Sequence, residues 1–137
     1  VVSAPAPPSI PESISTYYRT SLSISCNDGT DQVWFDGYVT VGNQVVNGAR
    51  IVFKSRLVPG SQPVTRPAIT GPQAVFPNWP NGYYWHIVDA SEQQANPKHL
   101  EVWVIDDSNN RISDYANWDT DGRNGACNKA TINFFVP

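Results

Sequence analysis

Two clusters of proline divide this chain and decide where regular structure can form. Pro5, Pro7, Pro8 and Pro11 fall within the first fifteen residues, and Pro59, Pro63, Pro67 and Pro72 fall in the stretch after Lys54. Proline fixes φ and carries no N–H, so neither cluster suits a helix interior or a central strand. Residues 1–15 therefore read as an extended, almost uncharged arm, and the stretch from Lys54 to Gln73 as a long surface excursion open only to loops and edge strands. The 137 residues suffice for one domain, placed at residues 16–137.

Between the prolines the pattern is that of strands. Met is absent, and Val, Ile, Thr, Tyr, Phe and Trp supply most of the bulk, which favours pleated surfaces over helices. Ser21-Leu22-Ser23-Ile24-Ser25-Cys26 alternates polar and apolar residues with period two. Val33 to Val41 reads as the next strand, Gly42-Asn43 as a two-residue hairpin turn, and Gln44 to Phe53 as its return, with a bulge or tight bend at Asn47-Gly48. Further strands are expected at Tyr83 to Asp89, at Leu100 to Ile105 and at Ala130 to Val136, where Ala130, Ile132, Phe134 and Val136 share one side. This predicts an all-β fold: a single immunoglobulin-like or prealbumin-like β-sandwich of about seven strands behind an extended Pro-rich N-terminal arm.

Charge and cysteine content narrow the setting. A net charge of −3 gives no field for nucleic acid or an anionic membrane, and no apolar run reaches the roughly 20 residues of a membrane helix. A start at Val1 is what signal-peptide removal would leave, so a secreted or cell-surface location is expected. Cys26 and Cys127 are the only cysteines, and an even count in a secreted chain favours a bridge between them over two buried thiols. That bridge would tie the first core strand to the approach of the last.

The run Gly37-Tyr38-Val39-Thr40-Val41, followed by Gln44-Val45-Val46-Asn47-Gly48-Ala49-Arg50-Ile51, resembles the opening hairpin of carboxypeptidase regulatory-like domains. Phe76-Pro77-Asn78-Trp79-Pro80-Asn81-Gly82-Tyr83-Tyr84 is similar to that family's entry into a following strand. The resemblance covers about a quarter of the chain and departs from the family where the Pro-rich excursion stands. It implies a non-catalytic, prealbumin-like module of secreted or cell-surface proteins, and it brings no site with it.

Catalytic chemistry is thin. His86 and His99 lie on strands that could pair as a hairpin, yet each is flanked by large apolar residues and reads as an amphipathic sheet residue. No serine stands in a Gly-x-Ser-x-Gly elbow. Asp119, Asp121 and Asn124 offer alternating oxygens in a Gly-rich loop, weak candidates for a hard cation, but Arg123 stands among them and a plain Asx turn is the simpler reading. Asp106, Asp107, Asn109 and Asn110 read as hairpin-turn chemistry, with Asn110 suited to a left-handed conformation. Neither an enzyme nor a cofactor is expected.

The aromatic residues make the best case for a partner. With Phe35, Val39 and Val41 facing the core, Trp34 and Tyr38 face outward, and Trp79, Tyr83 and Trp85 crowd a short segment; Trp103 is expected in the core. Flat aromatic surfaces suit sugar rings, and the same patch suits burial by a neighbouring subunit. Arg50, Lys54, Arg56 and Arg66 are the only charges between Gly37 and Val88, while acidic residues dominate from Asp89 to Asp121; these form opposite patches for a head-to-tail contact unless the fold pairs them internally. The arm supplies the mechanism: Ile10 and Ile14 as anchors, Val1 and Val2 as a terminal plug, laid against the next copy with the prolines in polyproline II. The expected function is a non-catalytic subunit of an extracellular, pilus-like filament, its partners being copies of itself and a polysaccharide or cell surface. The second reading is a carbohydrate-binding or accessory module of a larger secreted protein.

Overall fold

The computed structural model describes residues 17–26, 32–55, 67–88, 98–120 and 126–137. The arm residues Val1, Val2, Ile10 and Ile14 lie outside these ranges, as do Asp121 and Asn124. The described residues contain no helix and nine strand segments: β1 (Arg19–Ser25), β2 (Val33–Val41), β3 (Gln44–Val45), β4 (Arg50–Ser55), β5 (Ala68–Ile69), β6 (Tyr83–Val88), β7 (Lys98–Ile105), β8 (Ala116–Thr120) and β9 (Lys129–Val136). Sheet one runs β1-β9-β2, with β6 and β3 pairing successive parts of the far side of β2; sheet two runs β5-β4-β7-β8. The two pack face to face as a β-sandwich, with β1 near β8 at one edge and β5 near β6 at the other.

Alternation accounts for the packing. Along β2, Val33, Phe35 and Val39 are buried, whereas Trp34, Asp36 and Tyr38 face away from the second sheet. Phe35 sits at the middle of the core, edge-on to Phe53, Tyr84 and Trp118. Aromatic pairs in this geometry add to the stabilisation that burial alone provides. A second cluster, Val52, Trp103 and Ile105, lies apart from this core. Trp103 is buried as expected, but in this second cluster on the outer face of sheet two, where Tyr115 meets it edge-on; Trp118 of β8 lies in the larger core between the sheets.

The central pairing is β2 with β9, which run parallel. Their ladder is interrupted between Asp36↔Thr131 and Val39↔Phe134, and side chains take over there. The Asn133 amide oxygen accepts the Tyr38 N–H at 2.9 Å, and the buried Tyr84 hydroxyl donates to the Ile132 carbonyl at 2.7 Å. Gly37 lies opposite Tyr84, and a Cβ at Gly37 would collide with the Ile132 carbonyl. Cys26 and Cys127 are bonded across a sequence separation of 101 and tie the end of β1 to the start of β9.

Three sequence expectations need correction. The return from Gly42-Asn43 is not one strand with a bulge: β3 stays in sheet one and β4 begins sheet two, so Asn47-Gly48 marks a change of sheet. The buried Thr70 hydroxyl holds that crossover, accepting from Ala49 N–H at 3.0 Å and donating to the Val46 carbonyl at 2.6 Å. His86 and His99 lie in different sheets and cannot form a hairpin pair. In the Asp106–Asn110 turn the left-handed residue is Asn109, at φ 65°, not Asn110.

Gly37→Ala is expected to destabilise the protein by at least about 3 kcal/mol, because the added methyl meets backbone that cannot withdraw. Tyr84→Phe, which leaves the Ile132 carbonyl without its donor, is expected to cost about 1–3 kcal/mol. Urea unfolding of the two variants checks this; a Gly37→Ala protein as stable as the parent contradicts the close approach of β2 and β9.

Candidate functional site

Both edges of the sandwich leave strands without a neighbour among the described residues, and they differ in character. At one edge β1 pairs only with β9. Leu22 lies opposite Ile132 and Ile24 opposite Ala130, so both are on the core side of sheet one, yet they remain 40% and 44% exposed. The chain enters this edge through Tyr17 and Tyr18. Tyr18 is fully buried and bridges to sheet two, its N–H donating to the Ile112 carbonyl and its carbonyl accepting from Asp114 N–H, each at 2.9 Å. The Tyr17 hydroxyl donates to the Ser113 carbonyl at 2.9 Å, and Arg111 donates to both Tyr17 and Ser113 while lying 4.3 Å from the Tyr115 ring. The root of the N-terminal segment is therefore fixed at the β1/β8 edge.

At the opposite edge an apolar groove of about 590 Å³ runs between β5 and β6. Pro67, Ile69, Val75, Phe76, Trp79 and Trp85 line it. The orientation of the β6 backbone follows from two bonds: the Gly82 carbonyl accepts from Val39 N–H of β2, while the Tyr83 carbonyl turns away and accepts from Gly71 N–H. Backbone groups of a strand alternate sides, so the N–H and C=O of Trp85 and Ile87 point from β2 into the groove. Among the described residues, then, an apolar trough lies beside a strand edge with no neighbour, a geometry that β-augmentation by an extended peptide uses.

The loop before β6 explains the aromatic wall. Phe76 and Trp79 stack in parallel at 4.4 Å, held by a turn in which Trp79 N–H donates to the Phe76 carbonyl. Trp79 meets Tyr83 edge-on at 5.7 Å, and Trp85 packs obliquely against Phe76 and Trp79. These rings spend their faces on one another and form a rigid wall instead of a flat strip. Trp34 is likewise engaged, with Lys129 Nζ 4.4 Å from its ring centroid. Phe76, Ile69 and Val75 were not expected as site residues; the spacing Phe76-x-x-Trp79 within a Pro-rich turn is the one signal that could have found the first.

On the outer face of sheet one, Asp36 accepts from the Tyr83 hydroxyl at 2.9 Å and from Thr131 at 3.1 Å. Burial, then the hydrogen bond and charge of Asp36, raise the Tyr83 phenol above the ordinary tyrosine range. Burial, seconded by the same charge, does so for Tyr84. Asp106 has its carboxyl held below the usual range, first by the Asn110 N–H and further by that of Ser108, which confirms a turn role. Asp119, the described member of the proposed cation loop, lies 3.2 Å from His99 across the β7–β8 pair, and no group of three metal-ligating side chains occurs among the described residues. Where they are described, the two charge blocks meet: β4 and β7 are neighbours, Arg50 reaches Asp107 at 4.0 Å and Lys54 lies opposite Glu101, while Arg56, Arg66, Asp89, Glu92 and Asp121 lie outside the described residues. Among the described residues no helix is long and apolar enough to cross a membrane. Comparison with family models, curated proteins and solved structures returns no match, so the site is read from its own geometry.

Raised phenols stabilise the fold fully below the ordinary tyrosine pKa of about 10 and lose that contribution as pH climbs beyond it. Alkaline absorbance titration should therefore show fewer than the six tyrosines ionising while the protein is folded, the rest appearing with unfolding. Asp36→Asn should bring Tyr83 down toward the ordinary range while burial keeps Tyr84 raised. An unchanged titration in that variant contradicts the role given to Asp36.

Proposed function

We propose that this protein is a non-catalytic structural subunit of an extracellular or cell-surface filament, in which the N-terminal segment of one copy docks in the β5/β6 groove of the next. The observation that carries this reading is the placement of root and groove. Tyr17 and Tyr18 anchor the segment at the β1/β8 edge, and the groove lies at the opposite edge of the same sandwich. A donor on one edge and an acceptor on the other make a heterologous contact, and such contacts propagate when the rotation does not close.

Chemistry supports the same occupant. Residues 1–15 carry Val, Ile, Ala and Pro with a single charge, Glu12, which matches a groove lined by apolar and aromatic side chains. Pro5, Pro7, Pro8 and Pro11 cannot donate to a ladder but lie readily against aromatic walls as polyproline II, their carbonyls accepting from the edge N–H groups of Trp85 and Ile87. Ile10 and Ile14 serve as side-chain anchors. The Cys26–Cys127 bridge fits an oxidising, extracellular setting. An immunoglobulin-like or prealbumin-like relationship belongs to this reading too, on the strength of the two-sheet architecture.

Two half-defective variants test it. Ile10→Asp/Ile14→Asp removes the donor and keeps the acceptor, and Ile69→Asp/Val75→Asp does the reverse; Val75 is 75% exposed and Ile69 lies at the rim, so the fold tolerates both. Each variant alone should sediment as a monomer where the parent polymerises, and an equimolar mixture should form dimers and stop there. Polymers in either single variant contradict the mechanism, and a parent that stays monomeric contradicts the function.

A further inference from the structure

The outer face of sheet one meets the groove at β6, where Trp85 and Ile87 line it, and carries a pattern of its own from β2 across to β1. Cross-strand register sets out its rows: Trp85, Asp36, Thr131 and Ser23 in one, and Ile87, Trp34, Lys129 and Ser25 in the next. Beyond Asp36, Tyr38 pairs with Tyr83 and receives Asn133 through its backbone N–H, with Ser21 opposite Asn133. Crossing the sheet from β6 to β1, the side chains pass from rings to carboxylate, hydroxyl and amide, and then to serine.

Two of the charges on this face are engaged, and a third, the exposed Arg19 opposite Phe135, lies at its β1 end. Both Asp36 oxygens accept hydrogen bonds, from Tyr83 and Thr131, and the Lys129 ammonium rests over the Trp34 ring. No concentrated field remains for an anionic ligand or a nucleic acid. A second copy of the chain is a poor match as well, because the middle of such an interface is usually depleted of hydroxyl and charged groups. What the face offers is one open ring, Tyr38 at 41% exposure, tilted against Tyr83 at 5.3 Å, beside a field of short neutral donors and acceptors.

The geometry points to a binding site for a neutral polysaccharide, with a sugar ring stacked on Tyr38 and its hydroxyls bonded to Asn133, Thr131, Ser21 and Ser23. A sugar has an apolar C–H face and a rim of hydroxyls that both donate and accept, and this face presents the complement of each. The free lone pairs of Asp36 accept from sugar hydroxyls without the carboxylate giving up Tyr83 or Thr131. The site stands on the opposite side of sheet one from the core and does not depend on polymerisation.

Affinity electrophoresis of the full chain through gels containing xyloglucan, mixed-linkage β-glucan, galactomannan or xylan, with pull-down on cellulose and chitin, tests the proposal. At least one neutral polysaccharide should retard the parent, and Tyr38→Ala should weaken that retardation about tenfold or more. Tyr38→Phe, which keeps the ring, should retain most of it, and Tyr115→Ala, an exposed ring of the other sheet, should change nothing. Sedimentation of Tyr38→Ala should match that of the parent, which separates loss of sugar binding from loss of assembly. Failure of every polysaccharide to retard the parent overturns the proposal, as does equal retardation of Tyr38→Ala.

Discussion

The molecule depends on the insertion of its last strand between two of its first. β9 separates β1 from β2, antiparallel to one and parallel to the other, so sheet one cannot close until the C-terminal end of the domain arrives. The cost of bringing such distant segments together is entropic and falls on the unfolded chain. The Cys26–Cys127 bond bears directly on it, since it joins the two segments at the point where β1 and β9 begin to pair. The interruption at Gly37 then fixes the register. Only a residue without Cβ lets the Ile132 carbonyl approach, and the Tyr84 hydroxyl and the Asn133 amide take the places of the missing ladder bonds.

This arrangement decides what the two edges can do. Because β9 fills the space beside β2, β1 is pushed outward to become an edge, and Leu22 and Ile24 lie over the rim of the core rather than beneath the second sheet. Tyr18 closes that rim by bonding across to Ile112 and Asp114, and Arg111 clamps Tyr17 above it. On the far side β6 is short, β5 is shorter, and the Pro-rich turn from Pro67 to Pro80 raises an aromatic wall beside them instead of a further strand. A closed sandwich with a fixed exit at one edge and an open trough at the other is directional, and direction is what a propagating contact needs.

Period-two alternation made much of this visible in the sequence. It places β2 at its observed bounds and turns Trp34 and Tyr38 outward from Phe35 and Val39, because inside and outside are local properties of a strand. It does not reveal which strands are neighbours. The crossover at Asn47-Gly48 has the same turn residues as a bulge, and only the distant Thr70 distinguishes the two. β8 is not legible in the sequence because its outward residues, Asn117 and Asp119, suit a loop as well as an exposed strand face, although Ala116, Trp118 and Thr120 are buried. The groove was hidden for the same reason as the contacts of Asp36: both are made by segments that meet only when the sheets form. The charge blocks alone do not choose between separate patches and internal pairing, because β4 and β7, far apart in sequence, come side by side only in the fold.

The central claim is that the N-terminal segment of one copy occupies the β5/β6 groove of another. Cross-linking between separately labelled copies measures it most directly, one carrying Ile14→Cys and the other Ile69→Cys, mixed under mild oxidation with the native disulfide intact. The account predicts a mixed dimer containing one copy of each, identified by mass spectrometry, with no such product when Ile69→Cys is replaced by Tyr115→Cys on the other sheet. Absence of the mixed dimer, or a bond that forms only when both cysteines are on the same chain, would contradict it.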